Sequence, residues 1–358
     1  MEAFAHAGVH ADRLLPTLTL RRWVKTIAVL IVLSFLGLLI CLQYGTERIP
    51  FGTMLRLLAG SDSQASTGPS PAVILWEVRL PRLLLAFLVG ASLATVGVTL
   101  QALLRNPLAD PYILGISSGA ALGAALAVQF GVSWAFAGFS AIHLFAFIGA
   151  AVTMIGIYHI AADGGRIPIQ TLLLAGVIIN AILSALILFI TSLSDSTSAF
   201  RLFFWLMGSL ATLGYAGLLA LAVYVVLGLV VLFGEARHLN LLSLGEEPAK
   251  GLGLEVERIK RVIFFTSALL TGAVVAVSGL IGFVGMIVPH GVRMVLGPDH
   301  RLVLPAAALV GGTFLAIADT IARSLLAPTE LPVGVITALY GGPFFIYLLM
   351  SRRKSHMG

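Results

Sequence analysis

Apolar residues fall in long blocks separated by short polar breaks. A helix that crosses the hydrocarbon core of a bilayer needs ~20 mostly apolar residues. By that measure the blocks predict spans near 24–42, 73–105, 112–130, 141–162, 169–192, 215–233, 262–285, 302–323 and 332–350. A shorter segment near 286–297 carries Pro289. Together these make ten helices. The breaks read as loops. Residues 45–71 end in the turn-rich run 61–71, and Asn106-Pro-Leu-Ala-Asp-Pro111 holds two prolines that forbid a continuous helix. The aromatic segment from Phe200 to Leu210 is too short to span and reads as interfacial. Residues 234–261 form the one long polar stretch of the second half.

Composition turns this pattern into a class. Hydrophobic residues make up 59% of 358, and charged residues only 11%. Mean hydropathy is +1.03. A water-soluble fold has nowhere to hide that much apolar surface. The same numbers exclude disorder, collagen, coiled coil and a disulfide-stapled domain. An all-α polytopic membrane protein remains. The single cysteine, Cys41, excludes an intrachain disulfide and a cysteine-held metal cluster. A net charge of +6 does not point to nucleic acid, because the basic residues are spread through short loops.

The basic flank before Val24 raises the possibility of a signal peptide. The apolar run is long for one and no A-x-A site follows, so it reads as a retained first helix. The expected organisation is a tail over 1–22, one transmembrane domain over 23–350 and a second tail over 351–358. With ten helices and the N-terminus inside, 16 of the 22 Lys and Arg fall inside and six outside. That bias predicts cytoplasmic termini and a cytoplasmic loop at 234–261. Had 262–297 been one span, the Arg352-Arg353-Lys354 tail would fall outside, against the rule.

A shift of 182 residues lays Arg79 on Arg261, Gly90 on Gly272, Gly97 on Gly279, Pro107 on Pro289 and Leu114-Gly115 on Leu296-Gly297. In this topology the two copies run in opposite senses. An inverted internal repeat with broken helices marks transporters.

Candidate chemistry is sparse. The four lysines follow Val24, Ala249, Ile259 and Arg353, so none completes a phosphate-binding Gly-Lys-Ser/Thr loop. If transport is ATP-driven, a separate subunit must hold the nucleotide. Gly115-Ile-Ser117-Ser-Gly119 matches the nucleophile elbow of serine hydrolases, with His143 or His159 as nominal bases. The preferred reading is packing: Gly115, Gly119 and Gly123 recur every four residues and make one small-residue helix face. The eight histidines show no metal-binding spacing. Asp319 and Arg323, four apart in a span, are expected to pair. Arg79 and Arg82 bracket Leu-Pro at the start of a helix. They read either as interface anchors or as a docking surface for an acidic partner.

Several of these segments resemble the permeases of binding-protein-dependent ABC importers of iron chelates and cobalamin. The resemblance rests on Arg79-Leu-Pro-Arg82, on Asn106-Pro-Leu-Ala-Asp-Pro111 with Leu114-Gly115, and on Leu173-Leu-Ala-Gly176. Trp205-Leu-Met-Gly208, Leu244-Gly-Glu-Glu247 with Ala249 and Leu252-Gly253, and Gly282-Phe-Val-Gly285 with Val288-Pro-His290 extend it. Asp299-His-Arg301, Ala318-Asp-Thr-Ile-Ala-Arg323 and Glu330-Leu-Pro-Val-Gly334 complete it, over roughly 24–350. The resemblance implies a type II importer fold. It implies an assembly of two permease copies, two ATPase subunits carrying ATP and Mg, and one external binding protein, in a bacterial inner membrane. It carries over Arg79, Arg82 and Arg323 as docking residues. The ATPase-coupling residues become Leu244, Gly245, Glu246, Glu247, Ala249, Leu252 and Gly253. Asn106, Leu108, Ile169 and Gln170 become the gate, although Ile169 and Gln170 replace the small hydroxyl residues of the cobalamin member. The cargo would be a siderophore, haem or cobalamin. The alternatives are a secondary transporter without an ATPase and an intramembrane serine protease.

Overall fold

Fourteen helices and one two-stranded hairpin make up the computed structural model, which describes residues 18–45, 47–60, 70–136, 138–211 and 213–355. The helices are α1 (Leu20–Gln43), α2 (Phe51–Leu58), α3 (Pro71–Leu103, with a π-helical stretch over Ile74–Arg79), α4 (Ile116–Gln129), α5 (Ala141–Ala161), α6 (Ile169–Leu193) and α7 (Ser196–Leu206). They continue with α8 (Gly214–Gly234), α9 (Ala236–Leu242), α10 (Glu246–Gly251), α11 (Val256–Ser278), α12 (Val284–Leu296), α13 (His300–Ser324) and α14 (Val333–Ser355). The hairpin pairs β1 (Ala135–Phe136) with β2 (Phe139–Ser140). Seven helices are long and apolar enough to cross a membrane, and α4, α12 and the apolar part of α14 are shorter. The ten apolar blocks of the sequence are all helices.

Burial divides them. Of the most apolar stretch of α3, 83% lies inside the bundle; for α1 the figure is 11%. Lipid is as apolar as leucine, so the centre is held by close backbone approach rather than by hydrophobic exclusion. A Cβ on Gly90 of α3 would lie 2.2 Å from the Gly311 carbonyl of α13. One on Gly97 would lie 2.0 Å from the Gly285 carbonyl of α12.

The inverted repeat shows in these contacts. α3 packs on α13 at Gly90, and its counterpart α11 packs on α5 at Gly272, whose added Cβ would meet Ala150 at 2.9 Å. The fixed offset of 182 holds only for this pair of helices. α11 ends at Ser278, the counterpart of Val96, whereas α3 continues to Leu103. Pro107 therefore sits in a turn while Pro289 lies inside α12. Gly115 (φ +74) opens α4, and Gly297 (φ +92) closes α12.

Other boundaries differ for local reasons. The 45–71 loop contains α2, whose Met54 and Leu57 are buried. Residues 61–69 and 1–17 lie outside the described residues, but Leu20 to Arg22 of the expected tail already belong to α1. The span expected at 112–130 starts only at Ile116, after Pro111 and left-handed Gly115. The one expected at 262–285 stops at Ser278, because Gly279 (φ +66) and Phe283 (φ +69) turn the chain. α14 runs on to Ser355, through much of the expected second tail. The aromatic segment near 200–210 is α7, capped by Asp195, whose carboxylate accepts from the Thr197 and Ser198 amides at 2.8 and 3.0 Å.

Candidate docking, coupling and gate sites

At one end of the bundle the start of α3 meets the last turns of α13. Arg82 donates from Nε to both Asp319 oxygens at 3.1 Å and from Nη2 to Oδ1 at 2.9 Å. Its Nη1 donates to Glu330, in the loop after α13, at 2.8 Å. Arg323 sits one turn beyond Asp319, with Nε 3.0 Å from Oδ2. Its N–H does not point along that line, so the contact is ionic rather than a hydrogen bond. The expected Asp319–Arg323 pair is therefore present, within a larger cluster.

Arg79 takes a different role. Its Nη1 donates to the Leu42 and Gln43 carbonyls at 2.8 and 3.0 Å, and its Nη2 to that of Glu47. These include carbonyls at the C-terminal end of α1, which has no further turn to satisfy them. A cation there also opposes the helix dipole. Arg79 and Arg323 flank Gly45: an added Cβ would lie 3.1 Å from one guanidinium and 3.3 Å from the other. The resemblance makes all three arginines docking residues, yet two of them are largely buried. Arg79 and Arg323 are 3% and 5% exposed, and Arg82 keeps only an edge at the surface. A buried guanidinium needs partners, and α1, Asp319 and Glu330 supply them.

The opposite end carries the polar stretch. It folds as α9, a turn through Gly245 (φ +118), and α10, closed by Gly253 (φ +85). Glu246 and Glu247 occupy the first turn of α10, where the helix dipole favours negative charge. Ala249 points inwards, while Leu244 and Leu252 are exposed apolar side chains. Glu247 pairs with Lys250 at 2.8 Å on the surface. Glu246 instead reaches Lys260 of α11 at 2.6 Å.

Lys260 is buried and has two more partners, Glu257 at 3.1 Å and the Ile167 carbonyl at 3.2 Å. Glu257 also accepts from the Ile167 amide at 2.8 Å. The turn 162–168, closed by pairing of Asp163 with Arg166, is thereby tied to α10 and α11. Neither Lys260 nor Glu257 is among the site residues expected from sequence.

The two expected gate segments do not join one another through any hydrogen bond among the described residues. Asn106 accepts from the Leu108 amide at 2.9 Å, and Leu108 is exposed. Ile169 and Gln170 open α6 after Pro168. Both segments border the α9–α10 element. Asn106 and Leu244 line one cavity of about 700 Å³, and Ile167 is held by Lys260. Arg22, Arg105, Arg293 and Arg301 line the same cavity, so Arg293 lies at the same end of the bundle as Leu244.

The small-residue face is real in part. A Cβ on Gly119 would lie 2.6 Å from the Gly149 carbonyl of α5, and one on Gly123 2.0 Å from that of Phe145. Gly115 does not belong to this face; it packs toward Gly176 and Asn180 of α6. Ser117 is buried and its Oγ has no hydrogen-bond partner. His143 caps α5 instead, with Nδ1 accepting from the Ser140 amide at 3.0 Å, and His159 is exposed. Among the described residues, no histidine is hydrogen-bonded to Ser117.

Comparison with known proteins agrees with this geometry. The chain is 46% identical over 286 residues to a cobalamin import system permease protein of Halobacterium salinarum, covering 78% of this chain and 74% of the relative. It is 44% identical over 285 residues to a hemin transport system permease protein of Yersinia pestis, covering 79% and 84%. A solved metal-chelate type ABC transporter in an inward-facing conformation superposes with a TM-score of 0.78 at 33% identity, over 92% of this chain and 99% of that one. Residues 30–351 match the FecCD transport family, and the chain belongs to that family of ABC importer permeases.

Proposed function

We propose that two copies of this chain form the translocation path of an ATP-driven importer in the inner membrane, with the termini and the α9–α10 element on the cytoplasmic side. Two ATPase subunits, which carry the ATP and Mg, press on α9 and α10. An external binding protein delivers a bulky iron chelate, haem or cobalamin to the opposite end. The observation that carries the reading is the α9–α10 element: it presents Leu244 and Leu252 to solvent while Glu246 is tied inwards to Lys260. An apolar pair on an otherwise polar face suits a docked partner. The cobalamin and hemin relatives support the cargo class. Asn106, Leu108, Ile169 and Gln170 form the inner gate.

Docking of the binding protein falls to Arg82 in this reading, because a partner carboxylate can replace Glu330 on its exposed edge. Arg79 and Arg323 add positive potential behind it. The test is copurification: this chain, expressed with the proposed ATPase subunit, is expected to hold it through detergent extraction. Glu246→Lys with Glu247→Lys is expected to uncouple hydrolysis from uptake while the permease still inserts. Transport and ATPase stimulation unchanged by the double reversal would overturn the coupling assignment.

A further inference from the structure

We propose that Lys260 is the link that carries displacement of α10 to the start of α6. This inference rests on the proposed importer function. Lys260 is 2% exposed, yet its ammonium reaches three separate pieces of chain. Glu246 belongs to α10, Glu257 to its own helix α11, and the Ile167 carbonyl to the turn entering α6. The same Ile167 has its amide held by Glu257. Both backbone groups of one residue are thus clamped by the Lys260–Glu257 pair, two residues before Ile169.

An ammonium has three donors, and here all three are used. Charge-assisted bonds to a buried ammonium resist being opened, because the freed Lys260 would be left charged in a poorly solvated place. A push on α10 through Glu246 is therefore passed on as movement of Ile167 rather than lost in a slack side chain. Neighbouring charges do not share this role. Glu247 pairs with Lys250 on the surface, and Arg258 with Glu255 at 3.6 Å, with both side chains of that pair largely exposed. The link sets Glu246 apart from Glu247, which the sequence motif treats alike.

The test uses the permease–ATPase complex in lipid vesicles, with Cys41→Ser and one spin label per copy at Lys250 or at Thr171. Distances between the two copies are read with ADP and with ATP plus vanadate. With Lys260 intact, both label pairs are expected to change distance. In Lys260→Met the Lys250 pair still moves and the Thr171 pair does not. Glu246→Gln is expected to reproduce this loss, Glu255→Gln, an exposed carboxylate outside the coupling residues, to behave as the unsubstituted protein, and Lys260→Arg to restore part of the movement. ATP hydrolysed per cargo moved should rise about tenfold in Lys260→Met, the scale of one buried charged hydrogen bond. Should Lys260→Met not fold, Glu246→Gln decides alone, because its carboxylate is part-exposed. Full Thr171 movement in Lys260→Met, or in Glu246→Gln, overturns the link. If neither pair moves even with Lys260 intact, the importer reading itself fails.

Discussion

Asp319 accepts three hydrogen bonds from Arg82 across the α3–α13 contact, although the two residues are 237 positions apart in the chain. The pair closes the same helix contact that Gly90 and Gly311 open further along. Asp319→Ala would leave Arg82 and Arg323 buried together without their shared anion. Removing one partner of a buried ion pair costs about 3–5 kcal/mol. The expected outcome is a large drop in yield and melting temperature in detergent, read by fluorescence-detected thermal unfolding. A melting temperature within experimental error of the unsubstituted protein would refute the cluster's structural role.

Arg79 and Arg82, though three residues apart, should now separate by phenotype. Arg79→Gln is expected to loosen the end of α1 and lower thermal stability while weakening binding-protein affinity in the surviving protein less than Arg82→Gln does. Arg82→Gln should weaken association, and Glu330→Ala should strengthen it. Exposed pairs are worth ~0.2–1 kcal/mol, so each change should be about two- to fivefold, and added salt should weaken association of the unsubstituted permease. Titration of binding protein against permease in nanodiscs measures all three.

Helix existence was legible in the sequence because each span needs an apolar run that little else requires. Helix ends were less so. Gly115 and Phe283 adopt left-handed conformations that depend on the neighbours they meet, and α2 is set by burial of Met54 and Leu57. The docking motif was visible but its exposure was not, since burial of Arg79 depends on where α1 ends. Lys260 hid among the charges of 255–261, within the long polar stretch. Its spacing did hold a signal: Val256, Ile259, Ile263 and Phe264 form a buried helical stripe, and position 260 lies on it. Glu330 lies in a loop, and no periodicity pointed to it.

Close packing of α4 on α5 gives a graded test. Gly123→Leu must displace the Phe145 backbone and is expected to abolish assembly. Ser117→Ala keeps the interface small and removes a hydroxyl that has no partner, so expression and uptake should be retained. Loss of uptake in Ser117→Ala at normal expression would instead require a chemical role for that hydroxyl.

Asp299 caps α13 and accepts from Arg301 and Asn240, which holds its carboxyl down at about 2. Arg301 is the largest cause. A depressed carboxyl stabilises the fold above its unfolded value of about 4, and that stability is lost as pH falls toward 2. Asp299→Asn keeps a capping oxygen but not the charge. Its melting temperature should lie below that of the unsubstituted protein at pH 7, and the gap should close as pH falls from about 4 to about 2. A gap that stays constant over that range would rule out the ion pair as its source.

ATP-driven import is tested most directly by counter-checking the energy source. The permease is reconstituted in vesicles with and without its ATPase, and uptake of haemin or cyanocobalamin is measured in the presence of the binding protein. The account predicts accumulation only with ATPase and hydrolysable ATP present, unaffected by collapse of proton and sodium gradients. Accumulation by the permease alone, driven by an ion gradient, would contradict it.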